Sequence, residues 1–214
     1  MNPETIKLGS KLDFPLELSR PKNYLHGLCA ILEQLPVEAV EEVVERFFQA
    51  YLQGRSIYVF GNGGSAALAS HAACDLGKGT ALNGNPRFRI LSLTDNVALI
   101  TAWANDVAYE DVFAAQIKPL IEPGDIALAI SGSGNSANVL KALSVSRDAG
   151  GINVGLSGCR GGKMKDLCDL CVIVPSDNMQ QIEDSHVCVM HAVFLSLRHL
   201  IGTTGSSLSA SAGA

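Results

Sequence analysis

The chain has 214 residues, 47% of them hydrophobic, and a formal net charge of −5. That length accommodates one compact domain with a sizeable core, and with acidic and basic residues interspersed there is no basic stripe to suggest a nucleic-acid partner. No apolar run approaches the ~18 residues of a membrane span, and the first twenty residues carry no apolar core of signal-peptide length, so the expectation is a cytoplasmic protein that neither crosses a membrane nor is secreted.

In chain order, residues 1–21 show no period and read as an arm. Apolar residues at Tyr24, Leu25, Leu28, Ile31, Leu32 and Leu35 form a helical stripe that ends at Pro36. A second stripe, Val40, Val43, Val44, Phe47, Phe48 and Tyr51, stops near Gly54. Two long amphipathic helices exceed what one face of a sheet needs, and they could pack on another subunit. Ile57-Tyr58-Val59-Phe60 then reads as a buried strand, followed by Gly61-Asn62-Gly63-Gly64-Ser65 and an Ala-rich helix.

Strand two is expected over 87–93, with Thr94-Asp95-Asn96 at its end. Helices are expected over 97–105 and 110–121, and strand three over 126–130. The run Ser131-Gly132-Ser133-Gly134-Asn135-Ser136 breaks that strand into a helix over 137–149. Strand four covers 153–157, a short helix lies near 163–168, strand five covers 171–174, and a long helix spans roughly 180–201. The Gly/Ser/Thr/Ala-rich segment 202–214 reads as a flexible tail. Nearly all-apolar strands alternating with helices argue for a parallel sheet covered on both faces.

Ligands of such sheets sit outside the carboxyl ends of the strands. Three polar junctions lie there: 61–65, 94–96 and 131–136. The first is neither a dinucleotide fingerprint nor a P-loop, because it lacks the required third glycine and the Gly-Lys-Ser/Thr. Both serine-bearing loops precede a helix N-terminus, where unpaired amides and the helix dipole favour an anion. The hydroxyls of Ser65, Ser131, Ser133 and Ser136 could add donors to a phosphate; the plainer reading of the second loop is a strand-to-helix turn with Ser136 as cap. On the helix after the first loop, His71 and Asp75 are four apart and share a face. The plainer readings are that Asp75 caps the helix or pairs with Lys78 and that Asp95 is a turn residue with its Asx bond.

Six cysteines stand at 29, 74, 159, 168, 171 and 188. Cys168-Asp169-Leu170-Cys171 invites a zinc or redox reading, but no second such pair exists and Cys171 opens an apolar run. Reduced, mostly buried thiols are the expectation.

Gly61-Asn62-Gly63-Gly64-Ser65-Ala66-Ala67 together with Ser131-Gly132-Ser133-Gly134-Asn135-Ser136-Ala137-Asn138-Val139 resembles the sugar isomerase (SIS) domain, and within it the phosphoheptose isomerase family. Gly161-Gly162-Lys163-Met164 and the helix from Gln181 to His191 are similar to that family too, and the resemblance covers about residues 22–201. It implies a flavodoxin-like α/β/α sandwich with a five-stranded parallel sheet and a homotetramer with sites between subunits. The implied reaction is conversion of sedoheptulose 7-phosphate to a heptose 7-phosphate through an enediol. It further implies one Zn²⁺ held by His71, Asp75, Glu183 and His191, with Asp75 and His191 as acid/base pair. Asn62, Gly63, Gly64, Ser65, Asp95, Ser131, Ser133 and Ser136 are the implied substrate contacts. Asp75 stands where the family has Glu, Glu183 where it has Gln, and Gly132 where it has Thr. His186 lies off the 183/187/191 stripe and reads as structural or interfacial. Two other readings remain open: a non-catalytic SIS protein that binds a sugar phosphate or a regulatory partner, and an isomerase of a different phosphosugar.

Overall fold

The computed structural model describes residues 20–82 and 84–211. Residues 1–19 of the expected arm lie outside the described residues. Two helices, α1 (Pro21–Leu32) and α2 (Val37–Leu52), come first. The sheet is then laid down as β1 (Ser56–Gly61), β2 (Arg89–Ser92), β3 (Ile126–Ser131), β4 (Ile152–Ser157) and β5 (Leu170–Ile173). Helices α3 (Gly64–Gly79), α4 (Val97–Asp106), α5 (Ala114–Ile117), α6 (Ala137–Asp148) and α7 (Met179–Ser211) connect and cover it.

All strand pairs are parallel, in the order β2-β1-β3-β4-β5. Every residue of β1 and β3 is buried, and strand alternation sends successive side chains to opposite faces. Ile57, Val59, Leu128 and Ile130 meet Phe47 of α2, Leu76 of α3 and Leu197 of α7 on one face. Tyr58, Phe60, Ala127 and Ala129 meet Ile117 of α5 and Leu143 of α6 on the other. The result is the three-layer flavodoxin-like sandwich, and Leu128, fully buried at its centre, would cost about 2–5 kcal/mol if cut back to alanine. In this strand order the chain reverses its winding direction between β1 and β3. The crevice for a ligand therefore opens at their carboxyl ends, just where residues 61–65 and 131–136 lie.

Three expectations need correction. The helix expected over 110–121 is instead a 3₁₀ turn, Tyr109–Asp111, followed by the single turn of α5. Lys118 still has helical backbone, but Pro119 has no N–H to donate to a carbonyl one turn back, and α5 ends at Ile117. The short helix near 163–168 tightens to one 3₁₀ turn, Met164–Asp166. Finally, α7 runs to Ser211, through most of the segment expected to be a flexible tail. No proline follows Pro175 to stop it, and extending a nucleated helix costs far less than starting one.

Candidate functional site: a serine-lined crevice beside a His–Asp–His cluster

At the end of β1 the chain turns through Gly63, whose φ of 57° and ψ of −123° suit glycine alone among common residues. That turn aims the N-terminus of α3 into the crevice, with Ser65 buried in its first turn. Across the crevice the β3–α6 loop folds on itself. The Ser131 and Ser136 hydroxyls lie 3.3 Å apart, and the Asn135 amide donates to Ser133 Oγ at 3.2 Å. Gly134 takes a positive φ of 64°, and a Cβ there would stand 2.1 Å from the carbonyl oxygen of Gly161. The segment after β4 thus braces the loop directly, with Met164 N–H donating to Gly134 O at 2.9 Å and Lys163 N–H to Asn135 Oδ1 at 3.1 Å.

The two loops are joined by a reciprocal amide pair. Asn62 Nδ2 donates to Asn138 Oδ1 and Asn138 Nδ2 donates to Asn62 Oδ1, both at 2.9 Å. The Tyr109 phenol adds a bond to Asn62 Oδ1 at 3.0 Å. Convergence of the two hydroxyl-rich corners is therefore a direct contact. Asp95, at the end of β2, accepts a short hydrogen bond from Ser70 of α3 and so stands beside the same helix.

Helices α3 and α7 lie side by side and run in the same direction. Glu183 abuts Gly64, His191 faces His71, and the Arg198 guanidinium donates to the carbonyl of Gly79. Midway along the pair, His71 Nε2 and His191 Nε2 are 2.9 Å apart and their rings meet edge to face with centroids 5.1 Å apart. Asp75 Oδ2 lies 3.3 Å from the first nitrogen and 3.8 Å from the second. The ligand atoms of His71, Asp75 and His191 all fall within 4.8 Å of one another. Two imidazole nitrogens turned onto one point beside a carboxylate oxygen form a donor set suited to Zn²⁺, and three protein ligands leave a coordination position open. The shorter acid at position 75 does reach this cluster.

Glu183 does not join it. Its carboxylate sits at the head of α3, where a Cβ on Gly64 would meet Oε2 at 2.7 Å. The fourth ligand that the resemblance implies stands apart from the three-residue cluster in this structure. Glu183 and His191 are eight residues apart on α7, about 12 Å along the axis. At the head of α3 the carboxylate is instead favoured by the positive end of the helix dipole.

Gly132, where the resemblance expects Thr, is explained by Met179. A Cβ on Gly132 would lie 2.5 Å from the Met179 sulfur, so the thioether fills the space a threonine would take.

Two residues of the crevice were missed by sequence reasoning, Asn138 and Tyr109, while His186 was read as structural or interfacial. Asn138 carried a signal, since a poor helix former standing just inside a helix often uses its amide elsewhere. His186 is fully buried and its Nε2–H donates to the Ser157 carbonyl at 3.1 Å. Among the described residues its Nδ1 has no hydrogen-bond partner. Burial pushes its pKa down to about 4, against a weaker upward pull from the Ser157 carbonyl, so the ring is neutral. It lines a cavity of about 140 Å³ with Gly64, Ser65 and Glu183.

Two serine-bearing loops beside a His–Asp–His cluster on an α/β/α sheet are the features of a phosphosugar-handling domain. The SIS domain family matches residues 23–158 of the chain. The phosphoheptose isomerase of Trichlorobacter lovleyi is 38% identical over 170 residues, covering 78% of this chain and 86% of that protein. That of Paramagnetospirillum magneticum is 43% identical over 159 residues, covering 72% and 82%. Among solved structures, the phosphoheptose isomerase of Neisseria gonorrhoeae superposes with a TM-score of 0.78 at 28% identity, covering 84% of this chain and 97% of that one. The chain belongs to the phosphoheptose isomerase family of SIS-domain proteins.

Proposed function

We propose that the protein is an aldose–ketose isomerase that converts sedoheptulose 7-phosphate to D-glycero-D-manno-heptose 7-phosphate. The observation that carries this is the His71–Asp75–His191 cluster, with both ring nitrogens and the carboxylate turned onto one point beside the serine-lined crevice. The phosphate is received by the amides at the head of α3 and by the hydroxyls of Ser65, Ser131, Ser133 and Ser136. From Ser65 to His71 the helix rises about 9 Å, a span that suits a sugar held by its far-end phosphate with its first carbons at the cluster. Asp95, bonded to Ser70 within that span, is able to accept a hydrogen bond from a sugar hydroxyl.

The Asp75 carboxylate removes a proton from C1 of the ketose and returns it to C2, while His191 carries a proton between the oxygens on those carbons. The enediol between the two steps collapses to the aldose, and no atom is gained or lost. A Zn²⁺ held by His71, Asp75 and His191 would act as a Lewis acid on the developing oxygen charge. One methylene less than Glu in the acid at position 75 is compensated by its approach to both imidazoles.

We further infer a homo-oligomer, a tetramer by resemblance, with the site closed by a neighbouring subunit. Its support is that α1 buries none of its residues in the single chain, and that the His71 and His191 side chains are each 49% exposed. A cytoplasmic location agrees with six free cysteines. Among the described residues no helix is long and apolar enough to cross a membrane.

The test is incubation of zinc-supplemented protein with sedoheptulose 7-phosphate and, separately, with pentulose and hexulose phosphates, followed by separation of the aldose products. The heptulose should turn over fastest. Faster turnover of a shorter ketose would assign the site to another phosphosugar, and no turnover of any would leave a binding protein.

A further inference from the structure

The pair Cys168 and Cys171 lies outside the crevice, at the edge of the sheet. Cys171 belongs to β5, the edge strand, and stands in register with Gly155 of β4. Cys168 comes just before that strand, after the turn Met164–Asp166. A Cβ on Gly155 would lie 2.8 Å from Cys168 Sγ and 3.1 Å from Cys171 Sγ. The two sulfurs therefore converge on the one space that glycine leaves open. Both residues keep partial solvent access at the sheet edge. Both are free thiols.

We infer that Cys168 and Cys171 are a redox-modification site, which a hydroperoxide oxidises to an intrachain disulfide that disturbs the serine loop 131–136. With the two thiols side by side, Cys168 holds Cys171 below the ordinary thiol value while Cys171 and burial push Cys168 above it, which makes Cys171 the nucleophile. Its thiolate attacks a peroxide oxygen, the O–O bond breaks, and hydroxide leaves to become water as Cys171 turns to the sulfenic acid. Cys168 sulfur then attacks the Cys171 sulfur, the S–O bond breaks, and hydroxide departs with the Cys168 proton as a second water. Two thiols lose two electrons and two protons, and hydrogen peroxide becomes two waters.

The route to the crevice is short. Cys168 N–H donates to Met164 O at 3.1 Å, and Met164 N–H donates to Gly134 O at 2.9 Å, inside the serine loop. Drawing Cys168 onto Cys171 pulls on the turn that holds this loop. That second half rests on the reading of the loop as a phosphate seat.

The full-length protein is treated with hydrogen peroxide, remaining thiols are alkylated, and the chain is cleaved on the N-terminal side of Asp169 for mass spectrometry. The fragments bearing Cys168 and Cys171 should stay joined, two hydrogens lighter, and should separate with dithiothreitol. Alkylation of both cysteines, or linkage of either to another thiol, overturns the site. Cys168→Ser should trap a sulfenic acid at Cys171, and Cys171→Ser should give none at Cys168; the reverse pattern overturns the order of attack. Inorganic phosphate, titrated calorimetrically, should bind about tenfold more weakly after oxidation, since small displacements of positioned groups are costly. Dithiothreitol should restore it, and Cys168→Ser should show no change. A disulfide with unchanged phosphate affinity overturns the coupling. Reduced protein that binds no phosphate overturns the phosphate seat and the coupling together, while the disulfide is judged by mass alone.

Discussion

Asn62 and Asn138, 76 residues apart in the chain, hold the crevice together by exchanging both hydrogen bonds of their side-chain amides at 2.9 Å. Asn138 is 2% exposed, and its Oδ1 also accepts from the amide of Val139. Asn138→Ala therefore removes both amide bonds to half-buried Asn62 and the side-chain acceptor of the buried Val139 N–H, at an expected cost of about 1–3 kcal/mol. Because the pair sets the spacing of the two anion-binding loops, KM for the sugar phosphate should rise more than kcat falls. Urea unfolding and steady-state kinetics on the same preparation check both. An unchanged KM would mean that the loops keep their places without the pair.

Metal content separates the three-residue cluster from Glu183. His71→Ala and His191→Ala should each abolish stoichiometric zinc, since each removes one of three converging ligand atoms. Glu183→Gln should keep it, because that carboxylate lies against Gly64. Elemental analysis after dialysis decides, and loss of zinc in Glu183→Gln would return this residue to the metal set.

Asp75→Asn preserves size and removes the base. With Asp75 Oδ2 3.3 Å from His71 Nε2, the amide has the same room. The expected result is a fall in kcat of about 10²–10⁴-fold with KM changed little. Ser133→Ala, by contrast, should raise KM and leave kcat nearly intact. A matching kcat loss in both variants would argue against a division of labour between loop and cluster.

His186 makes stability depend on pH. Its folded-state pKa is about 4 and its ordinary value 6.5, so between these the unfolded chain binds the extra proton. Stability is then full above pH 6.5 and falls as the pH drops toward 4, by up to about 3 kcal/mol. Urea midpoints at pH 7 and pH 4.5 measure this. His186→Phe, which cannot take up the proton, should show a shallower dependence, and an identical slope would place the titrating group elsewhere.

Much of this was legible in the chain itself. The all-apolar runs at 57–60 and 126–130 and the glycine- and serine-rich turns after them placed the strands and the crevice, because buried parallel strands leave little room for other residue types. The spacing of His71 and Asp75 on one helix face was equally readable. What no local pattern carries is contact across long sequence distance. The Asn62–Asn138 pair, the phenol of Tyr109 on Asn62, and the meeting of His71 with His191 all depend on how helices and strands dock. The separation of Glu183 from the cluster is of the same kind: it shares a helix with His191 but sits two turns nearer its start, beside the head of α3. Helix α7 outran its expected end because low-complexity composition describes side chains, whereas helix extension follows backbone continuity.

The account turns on proton transfer between C1 and C2 at the Asp75–His191 pair. The direct test is incubation of zinc-loaded protein with sedoheptulose 7-phosphate in deuterium oxide, followed by nuclear magnetic resonance of recovered ketose and aldose product. The account predicts deuterium at C1 of the ketose and C2 of the aldose, with both signals lost in Asp75→Asn. A protein that holds stoichiometric zinc yet neither isomerises the sugar nor exchanges its protons would contradict it.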